Sequence, residues 1–183
     1  MKSLLPQLKA KGIRVVANAG GVNPLACRDA LAKVAEELGV DIKIGVVLGD
    51  DLSARAGELR ERGITEMFSG APFPQKLASV NAYLGALPIA RALDAGADVV
   101  ITGRGVDSAV TLGVLVHEFG WTADQYDQLA QGTLAGHLVE CGAQCNGGLF
   151  TDWESVPDWD IIGFPIFVKA VAGGGGRGMR RVD

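Results

Sequence analysis

The sequence predicts an α/β protein: a mostly parallel sheet with helices on both faces, in a Rossmann-like three-layer arrangement. Three observations carry this. Short apolar segments rich in β-branched residues, at 13–17, 42–48 and 98–102, alternate with longer segments of helical periodicity. Alternation of this kind gives parallel strands covered by helices. The chain also has 26 glycines in 183 residues, about twice the usual share, which suits many tight strand–helix turns. Its 48% apolar and 21% charged residues are ordinary for a protein with one sizeable core.

The elements follow in order. Residues 13–17 read as a buried strand, and 18–24 as a turn. Asn23 can cap a helix that has Pro24 at its first position and stops near Leu38, before Gly39. A second strand over 42–48 runs into Gly49-Asp50-Asp51. A helix over 53–62 ends at Gly63. Residues 69–83, with Pro72 and Pro74, read as a long surface loop. A helix over 84–95, a strand over 98–102, the turn Gly103-Arg104-Gly105 and a helix over 107–118 follow. Thr122 and Gln125 form a capping box for a helix reaching about Gly142. Residues 146–160 read as loop.

Charge and composition exclude several classes. A net charge of −4 gives no electrostatic case for nucleic acid. No apolar run reaches the roughly 18 residues of a membrane span, and no signal-peptide core is visible. Cys27, Cys141 and Cys145 are too few for a disulfide framework, so the expected location is a reducing cytoplasm.

Candidate chemistry gathers at turns that follow strands. The Asn18–Asn23 turn, including Gly20 and Gly21, would place backbone amides at a helix N-terminus beyond a strand end, where phosphate or carboxylate binds. Its bland alternative is a tight turn with Asn23 as cap. Arg104 could clamp an anion, or pair with Asp107, which could itself cap the next helix or act as a catalytic group. Asp50 and Asp51 could bind a hydroxyl or metal, provide a base, or cap the following helix. His137, Glu140 and Cys141 share one helix face, with His137 a general acid/base candidate and Cys141 a nucleophile candidate. The alternative is a packed helix with His137 bonded to backbone. Metal binding is not expected there, because too few ligands converge. Cys27 and Cys145 read as small buried residues, and Trp121, Trp153 and Trp159 as packing residues.

Seven motifs occur in one order: Asn18-Ala-Gly-Gly-Val-Asn-Pro-Leu-Ala-Cys27, Gly49-Asp-Asp-Leu52, Asn81-Ala-Tyr-Leu-Gly-Ala86, Ile101-Thr-Gly-Arg104, Val106-Asp-Ser-Ala109, Gly132-Thr-Leu-Ala-Gly-His-Leu-Val-Glu-Cys-Gly142 and Phe150-Thr-Asp-Trp-Glu154. Together they resemble the core of the acyclic terpene utilisation (AtuA-type) family over about residues 1–166. The resemblance implies a role in catabolism of acyclic terpenoid or branched acyl-CoA compounds. An acyl-CoA-type ligand is the expected partner, and acid/base chemistry on an acyl thioester the expected reaction type. His137 would carry the proton, Arg104 clamp an anion, and the Asn18–Asn23 turn cradle a phosphate or carboxylate. The chain is expected to begin inside the family core and to form a homo-oligomer.

At Gly163-Phe-Pro-Ile166 the text changes. An apolar strand carrying Lys169 runs into Gly173–Gly176 and then Arg177 and Arg180. Glycines admit backbone amides to phosphate oxygens, and the basic residues supply charge. This stretch resembles the glycine-rich ATP loop of the biotin carboxylase branch of ATP-grasp enzymes. The resemblance implies nucleotide contacts from Lys169, Gly175, Gly176 and Met179. The adenine hinge and magnesium ligands of that fold lie outside these residues, so useful ATP binding is not expected. Two alternative functions follow: a biotin carboxylase component, or a non-catalytic partner of an acyl-CoA carboxylase.

Overall fold

The computed structural model describes residues 2–141, 166–168 and 180–182. It divides into two compact units, 1–136 and 137–183. The first unit holds a three-stranded parallel sheet built from β1 (Val15–Ala17), β2 (Ile44–Val47) and β3 (Val99–Thr102). Its spatial order is β1-β3-β2. Val15 and Ile44 both sit opposite Val99, so the two outer strands start level on the central one. The protein is α/β, and the three expected strands are parallel partners in one sheet.

Side-chain alternation along β3 sorts the core into two faces. Val100, wholly buried, packs with Val47, Ile89, Leu93 and Ala109. These come from β2, α4 (Leu87–Asp94) and α5 (Ala109–Phe119). Val99 and Ile101 pack on the other face with Leu5, Leu31 and Ala35, from α1 (Leu5–Ala10) and α2 (Pro24–Glu37). All four β3 residues are buried because helices cover both faces.

The helix ends follow local chemistry. Asn23 Oδ1 accepts from Ala26 N at 3.0 Å and caps α2, with Pro24 in its first turn. Gly39, Gly63, Gly96 and Gly120 stand just past helix ends with positive φ, which a Cβ disfavours. Residues 53–62 divide into a 3₁₀ turn, Ser53–Arg55, and α3 (Ala56–Glu61). Thr122 N donates to Gln125 Oε1 at 2.8 Å, half of the expected capping box; the Thr122 hydroxyl donates to Asp124 instead, and α6 (Tyr126–Cys141) begins only after Gln125. Trp121 stacks on Phe119 at 5.5 Å between centroids, a packing role.

Two expectations need correction. Helix α1 lies before the first expected element. Six residues are too short to show helical periodicity, and α1 is held by burial of Leu5. The helix expected from 84 begins at Leu87 instead. Residues 80–84 are drawn into backbone bonding with two turns: Leu52 N to Val80 O and Ala82 N to Asp50 O at 2.8 Å, and Leu84 N to Arg104 O at 3.1 Å.

At the amino end of the sheet, a side-chain clamp ties β1 to α4 and α5. Arg14 Nη1 lies 2.8 Å from His117 Nε2, and His117 Nδ1 lies 2.5 Å from Asp94 Oδ1. Arginine only donates, so Nε2 accepts and the Nδ1–H donates to Asp94. Arg14 also pairs with Glu118 at 3.0 Å.

In the second unit, α6 ends at Cys141, and β4 (Ile166–Val168) pairs antiparallel with β5 (Arg180–Val182), Phe167 opposite Arg181. The expected loop at 146–160 lies outside the described residues.

Candidate functional site

β1 and β3 are neighbours, yet the helices that follow them leave to opposite faces. α2 joins the Leu31 and Ala35 cluster; α5 joins the cluster around Ala109. In open α/β sheets, strand ends from which the following helices part in this way are where ligands bind. The turns after β1, β2 and β3 meet there.

Each turn is fixed by a specific contact. Gly20 is buried beside β3, where a Cβ would stand 2.4 Å from Thr102 O and 2.9 Å from Pro24. Gly20 therefore serves close approach of two backbones. Gly21 has open space around its Cα, and Asn18 is exposed. Asn23, expected as a ligand contact or a cap, has its side-chain oxygen committed to the cap.

Asp50 is the buried polar centre, 3% exposed. Its Oδ2 accepts from Asn81 Nδ2 at 3.0 Å and from Arg104 N at 2.8 Å. Among the described residues nothing bonds to Oδ1. That oxygen lies where Gly103 lacks a side chain; a Cβ there would come within 2.1 Å of it. Neither aspartate caps the segment at 53–62: Asp51 Oδ1 accepts from Ser53 N at 2.8 Å in a turn one residue ahead of the N-cap Leu52, which has no side-chain bond. Hydrogen bonds from Ser53 hold the Asp51 carboxyl below its ordinary pKa.

Arg104 is exposed, and its guanidinium reaches Tyr83 Oη at 3.4 Å. No carboxylate among the described residues pairs with it, so the alternative of an Arg104–Asp107 pair is not realised. Asp107 is exposed and does not cap α5. Ser108 holds the N-cap position, without a side-chain bond. Asn81 and Tyr83 were not expected as site residues. Their segment reads as surface loop, and only the backbone bonds of 80–84 bring it across the ends of β2 and β3.

Other expected residues lie elsewhere. His137 is exposed on α6 and belongs to the second unit. Cys141 is described by its backbone alone. Cys27 is partly buried against the Leu5 cluster. Cys145, Trp153, Trp159, Lys169, Gly175, Gly176 and Met179 lie outside the described residues. A cavity of about 430 Å³ lies beside β1, lined by Val16, Leu93, Val110, Val114, Arg14 and Glu118 among others. Its two charged groups pair with each other, so it presents little unmet polar chemistry. No helix among the described residues is long and apolar enough to cross a membrane.

The fold defines an α/β protein with a parallel sheet whose strand-following turns converge at the carboxyl edge. The model of the family described as acyclic terpene utilisation family protein AtuA matches residues 1–174, and the chain belongs to that family. The matched stretch passes Ile166 and includes Lys169. Neither a curated protein nor a solved structure matches the chain. Family membership points to a role in acyclic terpene utilisation.

Proposed function

We propose that the protein binds a branched acyl compound carrying an anionic group, of the acyl-CoA type, at the carboxyl ends of β1 and β3, within acyclic terpenoid catabolism. The observation that carries this is Arg104: an exposed guanidinium, unpaired with any described carboxylate, at the sheet edge where the following helices diverge. Arg104 clamps the anion with charge-assisted hydrogen bonds; the turn before α2 adds little, because Gly21 N and Asn23 N already donate to Asn18 O and Gly20 O and Pro24 has no N–H. Asp50 is the proton acceptor for acid/base chemistry on the acyl thioester. Its support is a buried carboxylate with one oxygen unbonded among the described residues. The proposed site uses only residues of the first unit.

Isothermal titration with isovaleryl-CoA tests the reading. Saturable binding is expected, with Kd raised about ten-fold in Arg104→Ala, as for loss of a hydrogen bond to a charged group. Binding unchanged in Arg104→Ala would place the ligand elsewhere.

A further inference from the structure

Asp50 is held in a way that simple structural use does not require. Both of its hydrogen bonds among the described residues go to Oδ2, from Arg104 N and Asn81 Nδ2. The two donors come from different elements: the turn after β3, and the 80–84 segment bonded across the ends of β2 and β3. Together they fix the plane of the carboxylate. Oδ1 is left without a partner among the described residues, although the side chain is deeply buried. The carboxylate fills the place a Cβ on Gly103 would take, so the glycine is what lets Asp50 lie against the turn after β3. An acceptor oxygen in such a place costs free energy unless something donates to it.

From this we infer that the carboxyl edge of the sheet selects a hydroxyl-bearing anion. Asp50 Oδ1 accepts from a ligand hydroxyl while Arg104, on the turn after β3 whose N–H holds Oδ2, takes the anionic group. Asn81 is a positioning residue that acts through Asp50 and touches no ligand itself. The inference deepens the anionic-acyl reading above and rests on it. A carboxylate with Oδ2 committed to two N–H donors has one place left for a donor, and that place is Oδ1. An analogue without the hydroxyl would leave this buried oxygen unpaired, which is the physical source of discrimination.

The probes are 3-hydroxy-3-methylbutyrate and 3-methylbutyrate, titrated by NMR into the whole chain. The hydroxy acid is expected to bind about ten-fold tighter, the scale of one hydrogen bond to a charged group. Asp50→Asn should cut that preference to about two-fold, because a neutral amide–hydroxyl bond replaces one to a carboxylate. The amide oxygen must stay with the two N–H donors, so its NH₂ replaces the Oδ1 acceptor, and the fold keeps both bonds. Equal binding of the two acids by the wild type, with both weakened in Arg104→Ala, would overturn the hydroxyl inference and leave the anion site standing. A preference undiminished in Asp50→Asn would also overturn it. Failure of both acids to bind would overturn the hydroxyl inference and the anionic-acyl reading together.

Discussion

Replacing Gly20 with alanine should damage this protein far more than replacing its neighbour Gly21. At Gly20 the new Cβ would lie 2.4 Å from Thr102 O and 2.9 Å from Cα and Cβ of Pro24. Ordinary contact begins near 3.4 Å, so about 1 Å of separation has to be found. None of the three atoms belongs to the far end of a flexible side chain. Thr102 ends the central strand and is 2% exposed; Pro24 opens α2. Relief requires moving one element against the other, and overpacking of this kind costs about 3 kcal/mol. At Gly21 nothing lies within 4 Å, and the only penalty is its φ of 51°. A left-handed residue with a Cβ costs about 1 kcal/mol. The difference, about 2 kcal/mol, corresponds to roughly 1 M in the urea midpoint at an m-value near 2 kcal/mol/M. Urea unfolding of the two variants, followed by circular dichroism, measures it. Equal midpoints, or Gly21→Ala the less stable, would refute the reasoning that Gly20 exists for backbone contact.

Gly103→Ala should displace the Asp50 carboxylate, since the Cβ would overlap Oδ1, Cγ and Oδ2 at 2.1, 2.6 and 2.7 Å. Loss of the Arg104 and Asn81 bonds should lower stability by roughly 3 kcal/mol, read by urea unfolding. The same variant should lose the hydroxyl preference. Asp98 contributes an acid-sensitive element. The backbone N–H of Lys43, 2.7 Å away, and then Lys9 hold its carboxyl below the ordinary value. A depressed folded pKa adds stability above the unfolded value, near 3.9, and that stability is lost as pH falls through the folded pKa. The stability gap between wild type and Asp98→Asn should therefore be full at pH 6 and shrink below about pH 4, as measured by denaturation across that range.

Much of the architecture was legible in the chain. Val15–Ala17, Ile44–Val47 and Val99–Thr102 are short β-branched runs closed by glycine turns, and periodicity identifies such segments without knowledge of neighbours. Asn23 before Pro24, and Thr122 before Gln125, announce helix starts because capping is decided within a few residues. The motifs also indicated the family that the matching model confirms. Arg104 could be singled out because a charged residue in a glycine turn after a strand is a local signal. The sequence left open whether Asp50 or Asp51 caps a helix. Both follow the same strand, and only folding buries Asp50 beneath Gly103 while Asp51 turns to Ser53. It also hid Asn81 and Tyr83, which lie in a loop with no periodicity and gain their places through backbone bonds to residues about 20 to 30 positions away. The order β1-β3-β2 likewise depends on which strand inserts between two others. Local pattern fixes what each segment is. Which turns meet at the sheet edge is set by long-range pairing and by the faces the helices cover, and that is where the site is made.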